Sequence, residues 1–285
     1  MAKTWFVTGA ARGIGAEIVK AALNGGDRVV ATGRDLRKIE KTFRSGSDRI
    51  LALPLDVTKN DQVMAAVDAA VTRFSTIDVL VNNAGYGQLG IFEETTPQQI
   101  RNQFETNVFG LMAVTRAILP IMRRQGSGRV FNISSVAGLR GIFGVSSYNA
   151  SKFAVEGFSQ ALAQELSPFG VYVTVISPGF FRTDFLDQSS AKYSEGEPIS
   201  DYAKPLADFR AFMENRNHNQ AGDPAKLASV IVRLAQLEKP PVSFVVGSDA
   251  VEVATNMIKT RREQVDQWRD LSVSTDGNWV TATAS

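Results

Sequence analysis

Six times in its first 180 residues the chain passes from a short, mostly apolar run into a longer stretch with apolar residues at helical spacing. The runs are 5–8, 28–32, 50–55, 79–81, 129–133 and 171–176. They are largely continuous rather than alternating, which is the pattern of strands buried on both faces. Between them Val63, Val67, Ala70 and Phe74 share one helical face, as do Phe158, Leu162 and Leu166. Strand and helix alternating in this way predict parallel strands joined by helical crossovers. The expected fold class is therefore α/β, a single doubly wound, Rossmann-type domain over 1–285 with helices on both faces of the sheet. A helix opened by Pro224 and a run at 242–246 add a seventh strand.

The chain has 285 residues, 44% hydrophobic and 21% charged, enough to bury one large core. After Pro178-Gly179 the pattern loosens into polar and aromatic residues, so 184–221 reads as an insertion over the sheet edge. Residues 249–270 read as a C-terminal helix and 272–285 as a polar tail, making 249–285 a terminal appendage. The formal net charge is +2, with Lys and Arg in no block longer than a pair such as Arg123-Arg124. That balance gives no support for a nucleic-acid partner. There is no cysteine and one histidine, His218, which excludes a thiolate or multi-histidine zinc site, a Cys nucleophile and a disulfide framework. No metal site is expected. His218 lies in the polar run 214–220 and reads as exposed loop, which argues against a Ser-His-Asp hydrolase. The chain enters a strand at once and no apolar run approaches about 18 residues. A soluble, cytoplasmic protein with no membrane partner is expected.

Directly after the first strand stand Thr8, Gly9, Ala10, Ala11, Arg12, Gly13, Ile14 and Gly15, followed by a helix. Glycines let the backbone turn tightly and approach a pyrophosphate, and the free amides of a helix start offer donors to it. A tight strand-to-helix turn explains three glycines equally well, so the loop alone decides nothing. At the end of the second strand, where an NAD site usually places a carboxylate, the chain has Gly33-Arg34-Asp35. Asp35 precedes a helix and its simpler role is to cap it. Arg34, with Arg12 from the loop, suits a 2′-phosphate. NADP, with NADPH preferred over NADH, is the expected cofactor.

Tyr148 and Lys152 are four residues apart and so share one helix face. A phenol is a poor base at neutral pH, but a neighbouring ammonium and the positive nicotinamide of an oxidised cofactor favour the phenolate. Ser135 ends the fifth strand at the carboxyl edge, where doubly wound sheets bind ligands, and its hydroxyl suits a substrate oxygen.

With these residues in view, the chain resembles the short-chain dehydrogenase/reductase family from residue 3 to about 249. The motifs are the glycine loop Thr8 to Gly15, Asp56-Val57, Asn82-Asn83-Ala84-Gly85, Asn107, Ser135, Tyr148 with Lys152, and Pro178-Gly179-Phe180-Phe181-Arg182-Thr183. The resemblance implies that Asp56 and Val57 contact adenine. It also implies that Asn83, Ala84 and Gly85 line the adenosine side, and that Phe181 backbone and the Thr183 hydroxyl hold the nicotinamide carboxamide beside Pro178 and Gly179. It assigns Ser135 to orienting the carbonyl, Tyr148 to proton transfer, Lys152 to the nicotinamide ribose and the phenol's pKa, and Asn107 to a water-linked proton path. The activity implied is that of a carbonyl reductase or alcohol dehydrogenase. The region after Thr183 looks most like the branch that includes 17β-hydroxysteroid-dehydrogenase-like proteins.

The alternatives are a catalytically silent NADP-binding sensor, disfavoured by the intact Ser135, Tyr148 and Lys152, and an epimerase or dehydratase, whose glycine spacing and larger C-terminal domain are not found here. The expected substrate is a bulky apolar ketone in a pocket of Tyr86, Leu139, Phe143, Phe180 and Phe185. Leu206, Phe209 and Met213 at helical spacing suggest a helical lid on a flexible arm from 188 to 201. Apolar residues on more than one face of the helices at 97–124 and 146–167 predict a homodimer or homotetramer.

Overall fold

The structure, a computed structural model, describes residues 2–43, 47–187 and 190–277. Its strands are β1 (Thr4–Val7), β2 (Arg28–Gly33), β3 (Ile50–Pro54), β4 (Val79–Asn82), β5 (Gly87–Leu89), β6 (Gly128–Ile133), β7 (Val171–Pro178), β8 (Ala191–Tyr193) and β9 (Ser243–Val246). The helices are α1 (Gly13–Asn24), α2 (Leu36–Phe43), α3 (Asn60–Phe74), α4 (Pro97–Phe104), α5 (Leu111–Gln125), α6 (Ser146–Leu166), α7 (Ala203–Arg216), α8 (Pro224–Leu234), α9 (Ser248–Gln267) and α10 (Arg269–Val273).

Seven strands form one sheet in the order β3-β2-β1-β4-β6-β7-β9, and every pairing is parallel. This is the expected doubly wound fold. The chain moves outward from β1 through β2 to β3, then returns to lay β4 on the other side of β1. The crevice at that reversal is where such sheets take ligands.

Successive side chains of a strand point to opposite faces, so each strand supplies two cores. Trp5, Val7, Val29 and Phe131 pack with Ile18 and Val19 of α1 and Leu227 and Ile231 of α8. Phe6, Val30, Leu80 and Val130 pack on the other face with Val63, Val67 and Phe74 of α3, Val114, Ile118 and Met122 of α5, and Leu162 and Leu166 of α6. Phe6 is fully buried, and its truncation to alanine costs about 3–5 kcal/mol. Helix starts are set by local chemistry. Thr96 and Gln99 form a reciprocal capping box ahead of Pro97, and the Asp223 carboxylate accepts from the Ala225 and Lys226 amides ahead of Pro224.

Three expectations change. The helix expected over 97–124 is interrupted by a wider π-helical turn, Glu105–Gly110, which carries Asn107 inward. Gly110 lies so close to Val57 that a Cβ there would stand 2.6 Å from its Cγ2. The C-terminal helix stops at Gln267 and resumes briefly as α10. Of α9 only Ala250 is buried, and Ile258 is 64% exposed. Residues 278–285 of the expected tail lie outside the described residues. The expected flexible arm holds a strand instead: β8 pairs in parallel with β5, as Gly87↔Ala191, Gln88↔Lys192 and Leu89↔Tyr193. Two residues of that arm, Gln188 and Ser189, lie outside the described residues. The helix expected within 202–213 forms as α7, with Leu206, Phe209 and Met213 buried. Among the described residues no helix is long and apolar enough to cross a membrane.

Candidate active site

The carboxyl ends of β1, β2, β4, β6 and β7 open onto one cleft of about 1520 Å³. One limb of it is built mainly by backbone. Thr8 is buried, and its hydroxyl accepts from the Asn83 and Ala84 amides, both at 3.0 Å, fastening the 83–85 loop to the end of β1. The Asn83 amide group donates to the carbonyls of Thr8 and Gly9, each at 3.1 Å. Gly9 has φ +66, and a Cβ there would fall 2.9 Å from Ala84 Cα, so the two loops meet at a distance no side chain permits. Gly9, Arg12, Gly13 and Ile14 line the cleft, whereas Thr8 and Gly15 do not. Gly15 is buried in the first turn of α1. That helix begins without a side-chain cap, leaving its first amides for a ligand. These features fit a dinucleotide pyrophosphate.

Gly33, Arg34, Asp56, Val57, Asn83, Ala84 and Gly85 line the same limb. Asp35 accepts from the Lys38 amide at 3.3 Å and so caps α2. Lys38 and Lys41 join Arg34 on this wall, two cations that the sequence reading missed although Lys38 stands one helical turn beyond Arg34. Arg12 also reaches across the cleft, donating to the Ser190 hydroxyl at 2.5 Å.

The other limb is built by side chains. Tyr148 and Lys152 project from one face of α6 and are 9% and 7% exposed. The Ser135 hydroxyl stands close enough to the Tyr148 phenol to act on its pKa and accepts from the Ala137 amide at 3.1 Å. Lys152 Nζ donates to the Ile133 carbonyl at 2.7 Å and stands 5.7 Å from the centre of the Tyr148 ring. Asn107 is buried and does not reach the cleft. Its side chain instead brackets Tyr86, accepting from the amide at 3.1 Å and donating to the carbonyl at 3.0 Å, with Ser151 Oγ at 3.3 Å.

The electrostatics of this pair differ from the expectation. Burial pushes the Tyr148 phenol up to about 12, with the Ser135 hydrogen bond pulling it down, and burial lowers the Lys152 ammonium to about 8, with the Glu156 carboxylate raising it. Desolvation disfavours both charged forms. In the protein alone the phenol is held protonated rather than activated.

Pro178, Gly179, Phe181 and Thr183 line the cleft. The Phe181 ring belongs to the core. Phe180 donates its amide to Asp249 at 2.8 Å, and the Phe180 carbonyl accepts from Gly222 at 3.0 Å. Asp249, at the start of α9, is a further residue that sequence reasoning missed; no spacing connected it to the Pro178-Gly179 turn. Of the expected pocket, Tyr86, Phe143, Phe180 and Phe185 line the cleft, and Leu139 does not. Leu139 closes the tight turn Val136–Gly138 and stays out of the cleft lining, where Ile142 stands instead. Aromatic pairs close this end: Tyr148 with Phe185 (5.8 Å between ring centres), Phe143 with Phe209 (6.0 Å) and Phe180 with Phe212 (6.4 Å).

Residues 3–194 match the family described as short chain dehydrogenase. The chain is 37% identical over 275 residues to Oxidoreductase BOA17 of Botryotinia fuckeliana, covering 96% of this chain and 99% of that one. It is 35% identical over 241 residues to 3-ketodihydrosphingosine reductase of Bacteroides thetaiotaomicron, covering 85% and 86%. Retinol dehydrogenase 8 of Bos taurus is 33% identical over 252 residues, covering 84% and 80%. Among solved structures, a short-chain dehydrogenase from Streptomyces avermitilis superposes with TM-score 0.90 at 39% identity, covering 97% and 100%. The 3-ketoacyl-(acyl-carrier-protein) reductase of Brucella melitensis, complexed with NADH, gives 0.71 at 26% identity, covering 86% and 96%. Serine dehydrogenase complexed with NADP+ gives 0.72 at 26%, covering 85% and 94%. The sheet order, the cleft and these matches together place the chain in the short-chain dehydrogenase family of oxidoreductases.

Proposed function

We propose that the protein is an NADPH-dependent reductase of bulky, largely apolar ketones and aldehydes, a carbonyl reductase that runs as an alcohol dehydrogenase in reverse. The observation that carries this reading is a buried phenol, Tyr148, set beside Ser135 at the junction of a glycine-lined limb and an aromatic one. A bound nicotinamide dinucleotide would supply the hydride. Ser135 orients the substrate oxygen, and Tyr148 donates its proton as charge develops there. A phenol already held protonated by burial suits reduction, and a cytoplasmic pool of reduced NADP would drive that direction. Lys152 holds a ribose hydroxyl and stabilises the phenolate left behind. A protein that only sensed a dinucleotide would have no use for a phenol held against a serine.

NADPH is favoured over NADH because Gly33 brings no carboxylate to the end of β2, whereas Arg34, Lys38 and Lys41 gather there. The relatives do not decide this, since one structural neighbour holds NADH and another NADP+. The apolar limb favours an apolar substrate, and the likeness to a 3-ketodihydrosphingosine reductase and a retinol dehydrogenase supports reading the protein with the 17β-hydroxysteroid-dehydrogenase-like branch. The segment 184–221 is read as its lid. Association into a homodimer or homotetramer is proposed through the outer faces of α5, its preceding π turn and α6, where Phe109 and Phe153 are 54% and 43% exposed. A panel of aliphatic, aryl and steroid ketones, each assayed with NADPH and NADH, tests the reading. Turnover of large apolar ketones with NADPH is expected, and a preference for small charged keto acids or for NADH would overturn it.

A further inference from the structure

Glu156 is a buried carboxyl that the chemistry above does not use. It is 6% exposed and lies one helical turn beyond Lys152 and two beyond Tyr148, so that all three rise from the same face of α6. The Ser177 hydroxyl, near the end of β7, donates to Glu156 Oε1 at 2.7 Å. From the third side the turn after Ser135 presses on it: a Cβ added to Gly138 would stand 3.0 Å from Glu156 Cγ, 3.0 Å from the Lys152 carbonyl oxygen and 2.6 Å from Ser134 Oγ. One carboxyl thus joins α6, the end of β6 and the end of β7, the three elements that carry Tyr148 with Lys152, Ser135, and the Pro178-Gly179 turn.

A charged group so placed is costly unless it answers another charge. The opposite charge on this face is Lys152, one helical turn away and outside direct ion-pair distance. Its Nζ has the Ile133 carbonyl as a dipolar partner, and Glu156 is the acid whose charge acts to keep it protonated. The other titratable group on this face is Tyr148. From the β9–α9 side the cleft receives Asp249, whose carboxylate is taken by the Phe180 and Ala250 amides. Burial leaves the Glu156 carboxyl raised overall, opposed in turn by the Ser177 hydroxyl, the Ser134 hydroxyl and the Lys152 charge. Ser177 therefore helps to keep Glu156 ionised.

We propose that Glu156 is a positioning residue of the active site, whose carboxylate, anchored on Ser177, supplies the counter-charge that keeps the Lys152 ammonium charged beside Tyr148. The residue touches no reacting atom and acts through Lys152. Its use in turnover rests on the carbonyl-reductase reading, but its effect on Lys152 does not.

The test is Glu156→Gln, which keeps the shape and an acceptor for Ser177 but removes the charge. The Lys152 ammonium is followed by side-chain ¹⁵N NMR across pH in the full chain, with Lys152→Met to assign the signal, and kcat/KM is measured against pH with NADPH and an accepted ketone. In Glu156→Gln the deprotonation midpoint of Lys152 is expected to fall by about one pH unit, with the alkaline limb of kcat/KM following it and the rate below the midpoint nearly kept. Glu156→Asp should recover part of the shift. An unmoved midpoint overturns the proposal, as does a loss of rate that is equal at every pH, the mark of packing alone. Should Glu156→Gln not fold, Ser177→Ala decides: the midpoint falls by less if the proposal holds and stays in place if it does not. Failure to reduce any ketone would count against the carbonyl-reductase reading, while the NMR titration would still decide the role of Glu156.

Discussion

The two limbs of the cleft are made in different ways. On the glycine side, the Thr8 and Asn83 side chains tie the two loops together by hydrogen bonds of 3.0–3.1 Å to backbone amides and carbonyls, and the shape follows from where a Cβ is forbidden. On the aromatic side, Tyr148 with Phe185, Phe143 with Phe209 and Phe180 with Phe212 meet ring against ring, 5.8–6.4 Å between centres, and Phe143 remains 51% exposed. A wall of amides tolerates little change, whereas a wall of rings can be repacked. The first limb should thus be common to dehydrogenases with different substrates, and the second should carry what is particular to this one.

The sharpest way to break that comparison lies at its seam. Tyr148→Phe removes one hydroxyl and is expected to lower turnover by roughly 10²–10⁴-fold while leaving NADPH binding, followed by fluorescence titration, unchanged. Retention of more than about a tenth of the rate would move proton transfer to another group. Next in size, the double change Arg34→Ala with Lys38→Ala should raise the Michaelis constant for NADPH by about tenfold or more through lost charge-assisted contacts. NADH should be nearly unaffected, and equal effects on the two would remove the phosphate role. On the aromatic limb, Phe209→Ala should weaken large ketones several-fold, in line with ~1.5–3 kcal/mol for a buried ring at most, and leave acetone-sized substrates alone. Uniform weakening would show that the lid supports the fold rather than selects the substrate.

A smaller effect is expected with pH. Because burial depresses the Lys152 ammonium to about 8, its charged form is complete below that value and lost as pH rises through it. In the reductive direction kcat/KM should hold from pH 6 to 7 and decline above about 8. A profile level to pH 10 would show that Lys152 is not needed in charged form. Smallest of all, removal of residues 259–285 should shift the melting temperature by only a few degrees, about 1 kcal/mol at this chain length, because that part of α9 buries no side chain.

The same division decided what could be read in advance. Strand positions, the doubly wound order and the glycine loop were legible because period, hydrophobicity and the need for a missing Cβ are local properties. Tyr148, Lys152 and Ser135 were legible because helix periodicity and a strand end place them without knowledge of the rest. Lys38 could have been found by the same helical step from Arg34. Asp249 and Glu156 could not, since each takes its meaning from a partner far along the chain, the Phe180 amide at 2.8 Å and the Ser177 hydroxyl at 2.7 Å. Leu139 was misplaced for a related reason, because the turn Val136–Gly138 rotates the chain before Ile142 reaches the wall. The strand β8 was hidden in a polar stretch, because its pairing with β5 depends on a register that no pattern announces.

That small ladder makes the two limbs one thermodynamic object. Gly87 donates to the Ser190 carbonyl at 3.1 Å and Ser194 to the Leu89 carbonyl at 2.9 Å, while Arg12 of the phosphate loop holds the Ser190 side chain. The start of the segment 184–221 is therefore joined to the residues that follow Asn83-Ala84-Gly85. A ligand that orders one of these segments should therefore steady the other, and by reciprocity two ligands bound one to each would tighten each other by the same factor.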